Sequence, residues 1–497
     1  MTSPIPRIAA QIDGVRSAGE IVERAALPLP QTLQAFAQLA DWGLIEADWV
    51  EHDRPVRWVE SASCATTQGL LGLFDGCLEA MIEASEGFPS PVSIYAAFAT
   101  PSDSAAQGPT GGATGDTKAR EIYSGRGLTK RQAVVSCLGE AAERISGRWR
   151  GDEAFVRERF TALGPVALHP HALLNFSERQ YAGREAWNAT HPGRHEVPPP
   201  FAEDTEIAWV EARGLSSGSA RLLPAAAVYF DLPETLGAVC TANSNGCASG
   251  TSFEDAVARG FLELVERDAV AIWWYGRVPR PGVGLASLAE PGLAEIAAYQ
   301  TEQGRHFHIL DLTHDLSVPV FAAVSLDRGG GRIVFGFGAA WAPETAALSA
   351  ATEMQQLYLS ALLNEQTGRD VPDEELPPET LAFRRWLARA KAAEEPYLMP
   401  ADAAPSRRVR FSHDLPQDAD SALQRIAEIC ARKTLEPLVV DLTRTDIGVP
   451  TARVIVPGLR HFWARFGPGR LYDVPVALGW RTEPCAEEAL NPTPMFV

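Results

Sequence analysis

Two segments of the sequence carry the same order of acidic and basic residues, EAAER at 140–144 and ELVER at 263–267. Carboxylates three residues apart on a helix repel each other unless a positive group lies between them. A divalent cation would relieve that repulsion, and Mg²⁺ prefers oxygen ligands that it shares with phosphate groups. The arginine that ends each segment suits phosphate oxygens, which a guanidinium binds bidentately. The pattern therefore predicts a site for Mg²⁺ and phosphate, with the carboxylates of Glu140, Glu143, Glu263 and Glu266 as metal ligands.

The helices that carry these segments should each present one polar face. Thr129 is suited to cap the first helix, in which Ser136 stands four residues before Glu140 and seven before Glu143. That spacing places the three side chains on one face. Asp268 lies roughly 140° around the second helix from Glu263 and is expected to be structural. The second helix has one narrow polar stripe, made of Asp255, Arg259, Glu263, Glu266 and Arg267.

A simpler interpretation of both segments is a solvated helix face with local salt bridges. Such faces are common, and either segment alone fits this interpretation better than a ligand site. The repetition, and the apolar character of the second helix, favour a shared site. The pattern alone leaves both interpretations open.

Alternating strand-like and helical runs predict a mixed α/β (α+β) fold from residue 61 to residue 497. Residues 1–60 are expected to form a small separate unit. Its predicted order of helix, helix and strand resembles part of a winged-helix domain, and a helical extension packed on the main body is equally compatible. The Gly-rich polar stretch 101–117 predicts a loop.

Charge and cysteine usage exclude several classes of protein. The formal net charge of −19 argues against nucleic acid or an anionic membrane as the main partner. Seven cysteines without a CxxC pair indicate reduced thiols, and the N-terminus shows no signal peptide. No apolar run is long enough for a membrane span, so a cytoplasmic location is expected. No GxxxxGK[ST] motif is present, which excludes a P-loop enzyme.

Several longer segments carry a family resemblance. The chain resembles the YcaO family, in particular its ATP-dependent azoline-forming cyclodehydratases, which make thiazole- and oxazole-modified peptides. The resemblance spans roughly residues 90–497, and the tail LNPTPMFV is similar to the proline-rich tail of the peptide-cyclising members. The matching segments are SGRGLTKRQAVVSCLGEAAERISG (124–147), NSNGCASGTSFEDAVARGFLELVERDAVAIWW (243–274), DLTHDLSVPVFAAVS (311–325), FGFGAAWAPETAALSAATEMQQ (335–356) and VIVPGLRHFWARFGPGRLYDVPVALGW (454–480).

The resemblance implies a YcaO-type domain in which side chains, rather than a P-loop, hold ATP and Mg²⁺ in a carboxylate-lined cleft. Arg126 stands where many members have lysine, Thr251 where asparagine is usual, and Asp255 where glutamate is frequent. The implied nucleotide-binding residues are Arg126, Ser136, Glu140, Glu143, Arg144, Thr251, Asp255, Glu263, Glu266 and Arg267.

The implied reaction begins when a peptide Cys, Ser or Thr side chain attacks the preceding backbone carbonyl. ATP phosphorylates the resulting oxygen, and phosphate leaves to give the thiazoline or oxazoline. Arg144 and Arg267 are expected to stabilise charge on the transferred group. The resemblance implies the C-terminal carboxylate, here that of Val497, as the base. Only a Pro-x-Pro part of the family's PxPxP tail is present, at 492–494.

The implied partners are a ribosomal precursor peptide, a separate protein that binds its leader, and an azoline dehydrogenase. A homodimer is expected by analogy with the family. Two alternatives to the cyclodehydratase remain. External sulfide could attack the same carbonyl and give a backbone thioamide, or the chain could be a non-catalytic scaffold subunit.

Overall fold

The computed structural model describes most of the chain beyond residue 77. The predicted N-terminal unit (1–60), apart from three residues, the predicted loop (101–117) and Val497 lie outside the described residues. The boundary between the two predicted domains therefore stays a prediction. The described residues are 78–99, 121–191, 193–237, 239–240, 242–367, 371–401 and 415–496, together with Glu20, Ile21 and Arg24.

Thirteen strands of the described chain form three sheets, and every named strand pair is antiparallel. The sheet orders are β1-β2-β3, β11-β10-β9-β8, and β4-β5-β12-β13-β7 with β6 beside β5. The strands are β1 (Leu78–Glu83), β2 (Ser93–Ala99), β3 (Glu121–Gly127), β4 (Val156–Arg159), β5 (Glu206–Gly214), β6 (Ala220–Pro224), β7 (Cys247–Ser249), β8 (Gly282–Val283), β9 (Arg305–Asp311), β10 (Val320–Asp327), β11 (Val334–Ala339), β12 (Leu438–Asp441) and β13 (Thr451–Ile455).

Helices cover these sheets, so the predicted mixed α/β fold is confirmed. The described α-helices are α1 (Lys130–Ser146), α2 (Phe160–Leu163), α3 (Pro170–Leu174), α4 (Glu178–Ala182), α5 (Arg184–Asn188), α6 (Ala225–Val228), α7 (Phe253–Gly276), α8 (Pro291–Glu302), α9 (Pro343–Thr367), α10 (Pro378–Arg389), α11 (Ala419–Lys433) and α12 (Arg470–Ala477).

Helix α1 begins where the sequence predicts. The Thr129 side chain accepts a hydrogen bond from the Gln132 backbone, and the Gln132 side chain accepts one from the Thr129 backbone, which completes a capping box. The helix lies directly on β3, where Gly125 permits the close approach. A Cβ on Gly125 would lie 2.0 Å from the Cys137 backbone nitrogen. This packing fixes the height of α1 above the three-stranded sheet.

Helix α7 runs through the main hydrophobic core. Ser252 caps it, and its C-terminal half, including Trp273 and Trp274, is buried. The core cluster around it joins side chains from α9, β9 to β11 and β13. Helix α7 is therefore the rigid element against which the sheets are assembled.

Helix α9 lies close to β11 because the strand carries glycines at the contact, as β3 does beneath α1. A Cβ on Gly338 would lie 2.1 Å from the Ala346 carbonyl oxygen, and one on Gly336 would lie 2.2 Å from the Met354 nitrogen. Glycines thus allow both helices to approach their strands. Among the described residues, no helix is long and apolar enough to cross a membrane.

Candidate active site

The two carboxylates of α1 are held by backbone amides of two different sheets. Glu140 Oε2 accepts from the Ser124 backbone nitrogen on β3 at 3.0 Å. Glu143 Oε1 accepts from the Ser249 backbone nitrogen on β7 at 2.9 Å, and from its hydroxyl at 3.1 Å. The face that the sequence predicts therefore points between the sheets and not into bulk solvent.

The carboxylates of α7 share one arginine. Glu263 Oε2 accepts from the Gly246 backbone nitrogen at 2.9 Å, and its Oε1 accepts from Arg267 Nη2 at 3.2 Å. Glu266 forms an ion pair with the same guanidinium. The Phe462 ring covers that guanidinium, with its centroid 4.5 Å from the Arg267 Cζ.

The carboxylates of the two helices face each other. Burial, with the nearby charges of Glu263 and Glu140, raises the pKa of Glu143 from 4.5 to about 8. Burial also raises the pKa of Glu266 to about 7, because the charges of Glu353 and Glu263 add to it and Arg267 only partly offsets them. Crowded carboxylates of this kind are most stable with a cation between them.

These side chains nevertheless keep contact with solvent. The Glu263 side chain is 25% exposed and that of Glu266 is 12% exposed. Side chains that are densely surrounded and still accessible line the wall of a cleft. Burial raises the pKa of Glu140 as well, and the hydrogen bond from Ser124 and the charge of Arg144 offset only part of this rise.

A further carboxylate, to which the sequence patterns assign no role, reaches the same cleft from α9. Glu353 Oε2 accepts from the Phe337 backbone nitrogen at 2.6 Å and lies 3.8 Å from Arg126 Nη2. Arg126 Nη1 also donates to Gln356 Oε1 at 3.2 Å. One sequence signal for Glu353 was present, since it is the only charged residue of α9 between Glu344 and Glu365.

Three other predicted residues precede the carboxylates in the two helical segments. Ser136 is exposed on α1, one turn before Glu140. Asp255 Oδ2 accepts from the Thr251 backbone nitrogen at 2.9 Å and from its hydroxyl at 3.2 Å. Asp255 stands eight residues before Glu263, which is about 12 Å along the helix. These residues could contact a long ligand that extends out of the cleft.

The tail of the chain is anchored by aromatic residues. The Met495 backbone nitrogen donates to Tyr275 Oη at 3.2 Å, and that hydroxyl donates to the Phe462 carbonyl at 2.8 Å. The Phe496 ring lies 5.4 Å from Trp386. Tyr275 therefore links Met495 to Phe462, the residue that covers Arg267.

Asp268 is buried and faces away from the cleft, as its predicted structural role requires. Arg470 Nη2 donates to Asp268 Oδ2 at 2.6 Å, the Arg460 backbone donates to Oδ1 at 2.8 Å, and His314 Nε2 lies 2.9 Å from Oδ2. Burial alone would raise the pKa of Asp268, but Arg470 and His314 hold it well below its usual range.

The cleft fits a metal that phosphate helps to bind. Among the described residues, no three His, Cys, Asp or Glu side chains converge closely enough to hold an ion by themselves. Mg²⁺ commonly takes one or two protein carboxylates and completes its shell with phosphate oxygens and water. The buried Arg267 Nε has no hydrogen-bond partner among the described residues, so a donor remains for a ligand oxygen.

Comparisons with known proteins agree with this chemistry. Residues 124–460 match the sequence profile of the family described as "YcaO cyclodehydratase, ATP- and Mg²⁺-binding". A heterocyclase solved in complex with substrate and cofactor is 31% identical, with a TM-score of 0.76 over 99% of this chain and 74% of that chain. The heterocyclase TruD is 39% identical, with a TM-score of 0.63 over 74% of this chain and 51% of that chain.

A third solved structure shares the fold. YcaO from Methanopyrus kandleri, bound with AMPPCP and Mg²⁺, is 22% identical, with a TM-score of 0.51 over 78% of this chain and 87% of that chain. The profile match covers more than half of the 497 residues and includes both acidic helices. The chain therefore belongs to the YcaO family and is an ATP-dependent enzyme that binds ATP and Mg²⁺.

Proposed function

We propose that the protein is a peptide cyclodehydratase that converts Cys, Ser or Thr residues of a ribosomal precursor peptide into thiazolines or oxazolines. The observation that carries the proposal is the meeting of the α1 and α7 carboxylates, with Arg267 between Glu263 and Glu266. Similarity to two heterocyclases, each more than 30% identical, supports this chemistry.

In this proposal, the carboxylates of Glu140, Glu143, Glu263 and Glu266 hold Mg²⁺, with one or two of them on any one ion and phosphate oxygens completing its shell. The guanidinium groups of Arg126, Arg144 and Arg267 bind the phosphates. Ser136, Thr251 and Asp255 hold the part of the nucleotide that extends outward. Glu353 is a fifth carboxylate for this site, because it lies near Arg126 and its charge acts on Glu266.

The arginines and the carboxylates have different tasks during the reaction. Bound Mg-ATP supplies the phosphoryl group that turns the amide oxygen into a leaving group. Arg144 and Arg267 neutralise negative charge on that group. The peptide nucleophile loses a proton as its bond to the carbonyl carbon forms, and we assign the base role to the Val497 carboxylate. The position of Met495, two residues earlier and hydrogen-bonded to Tyr275, supports this assignment.

The partners follow from the substrate. A precursor peptide must reach the cleft, and we propose that a separate leader-binding protein delivers it. A homodimer and an azoline dehydrogenase are further proposed partners. The substrate complex of the similar heterocyclase supports the peptide assignment.

The test uses the purified full-length protein, Mg-ATP and a candidate precursor peptide with its delivery protein. Mass spectrometry should detect the loss of one water per ring, coupled to formation of ADP and phosphate. Glu263→Gln and Glu266→Gln should abolish the change, and Glu295→Gln, an exposed substitution on α8, should not. Full modification by Glu263→Gln would contradict the assigned site. Exchange of a backbone oxygen for sulfur, dependent on added sulfide, would instead identify a thioamide-forming enzyme.

A further inference from the structure

Four arginines lie beside the carboxylate cleft, and we call Arg144, Arg194, Arg453 and Arg465 the arginine cluster. Arg453 lies close enough to Glu263 for its charge to lower the pKa of that carboxyl, against the dominant effect of burial. Arg144 and Arg453 lie over the same ring, with their Cζ atoms 4.7 Å and 5.8 Å from the Phe230 centroid. The cluster therefore continues the wall of the cleft beyond the two acidic helices.

Arg453 is the most deeply buried member, with 2% of its surface exposed. It stands on β13 opposite Cys247 of β7. Its Nη2 donates to the Ala227 carbonyl at 3.0 Å, but its Nε and Nη1 are buried without a hydrogen-bond partner among the described residues. Buried cationic donors without partners are costly in a folded protein. The arrangement is explained if a ligand supplies the missing acceptors.

Arg465 extends the cluster toward the tail of the chain. Its Nη2 donates to the Arg194 carbonyl at 3.0 Å, and its Cζ lies 3.9 Å from the Phe176 ring centroid. Its Nη1 is also buried and lacks a hydrogen-bond partner in the described part of the chain. Arg465 lies near Tyr275, the residue that holds Met495.

The cluster contains far more positive than negative charge. Arg194 lies 3.8 Å from Glu379 and 5.3 Å from the Trp463 ring centroid. Arg144, Arg453 and Arg465 form no ion pair within 4.0 Å with any described residue. Guanidinium groups that lack a paired carboxylate are suited to an oxyanion with several acceptor oxygens, and phosphate is such an anion.

We propose that the arginine cluster is a binding site for a phosphate group beyond the nucleotide, separate from the carboxylates that hold Mg-ATP. This inference rests on the proposed function, in which the phosphoryl group moves from ATP to the amide oxygen. The C–O bond of the substrate then breaks, both electrons leave with the oxygen, and inorganic phosphate is released. The cluster holds the phosphate oxygens on the peptide side of the cleft, where Arg144 connects the two sites.

The test is isothermal titration of inorganic phosphate into the full-length protein saturated with Mg-ADP, in the absence of peptide. Loss of one charge-assisted contact should weaken phosphate binding by about tenfold in Arg194→Met and in Arg453→Met. Arg194 is exposed enough for its substitution to leave the fold intact. Arg213→Met, which removes an equal charge from an exposed side chain on β5, is the matched control and should bind phosphate normally.

The affinity for Mg-ADP should be unchanged in Arg194→Met and in Arg213→Met. Failure of the wild-type complex to bind phosphate would overturn the proposal, and so would equal weakening in Arg213→Met. Weaker Mg-ATP binding with unchanged phosphate binding would also overturn it, since the cluster would then belong to the nucleotide itself. Because the titration contains no peptide, its result is independent of whether a peptide is dehydrated.

Discussion

Neighbouring residues of α7 illustrate two opposite ways of burying charge. Asp268 is fully buried and has close cationic partners in Arg470 and His314, which keep its pKa below the usual range. Glu266, only two residues earlier, faces other carboxylates, and its pKa rises to about 7. Paired charges stabilise a fold, whereas crowded like charges are stabilised when a cation binds. The same helix therefore serves as a structural support on one side and, in the proposed function, as a ligand site on the other.

The largest expected effect on the free energy of unfolding comes from breaking the ion pairs of Asp268. Asp268→Asn leaves Arg470 without its main buried partner, and such losses cost about 3–5 kcal/mol. Urea unfolding should show this decrease in the free energy of unfolding. Asp152→Asn, an exposed change of the same kind, should have almost no effect. Equal stability of the two variants would show that Asp268 does not support the fold.

The crowded carboxylates should make Mg-ATP binding depend on pH. The pKa of Glu143 is about 8 and that of Glu266 about 7, so both carboxyls gain protons as the pH falls through this range. Mg-ATP binding should then weaken by up to about tenfold per pH unit for each carboxyl that must lose its proton. Calorimetric titrations between about pH 6 and pH 9 would measure this. A flat profile would contradict the role of these two groups.

Without ligand, the stability of the protein should depend on pH in opposite directions through Glu143 and through Asp268. The folded pKa of Glu143 is raised, so its stabilising contribution is complete below the unfolded value and is lost as the pH rises through about 8. The folded pKa of Asp268 is lowered, so its contribution is present above the unfolded value and is lost on acidification. Thermal unfolding at alkaline pH should therefore show destabilisation that Mg-ATP reverses.

Substitution of Glu353 tests whether the group of nucleotide-binding carboxylates on α1 and α7 extends to α9. Glu353→Gln should weaken Mg-ATP binding by about tenfold, the value of one charged contact, without unfolding the protein. A binding titration measures the change, and Glu344→Gln at the start of α9 is the control. Unchanged binding would limit the site to α1 and α7.

The smallest effect is expected at the exposed end of α7. Arg259 pairs with Asp255 at 3.1 Å, but 61% of the arginine side chain is exposed. Arg259→Ala should change the free energy of unfolding by no more than about 0.5 kcal/mol. A larger decrease in the free energy of unfolding, measured by urea unfolding, would show that this exposed pair supports the fold as the buried pairs of Asp268 do.

The residues of α1 and α7 could be predicted because helical periodicity is a local property. Spacing of three and four residues places Glu140 and Glu143, and likewise Glu263 and Glu266, on one side of a helix wherever that helix packs. Glu353 and Gln356 had no such repeated motif. Gln356 donates to Ser124, a residue 232 positions earlier, and no local pattern encodes that contact.

The sequence by itself determined the mixed α/β fold, the polar faces of two helices, the capping of α1 and the position of Asp268 off the polar stripe. Only the tertiary structure decided that the two faces meet, because the amides that orient Glu143 and Glu263 belong to Ser249 and Gly246, which lie outside both helices. It also decided that Arg453 and Arg465 approach the cleft. Their positions depend on long-range packing of strands and loops, whose contacts do not follow from spacing along the chain.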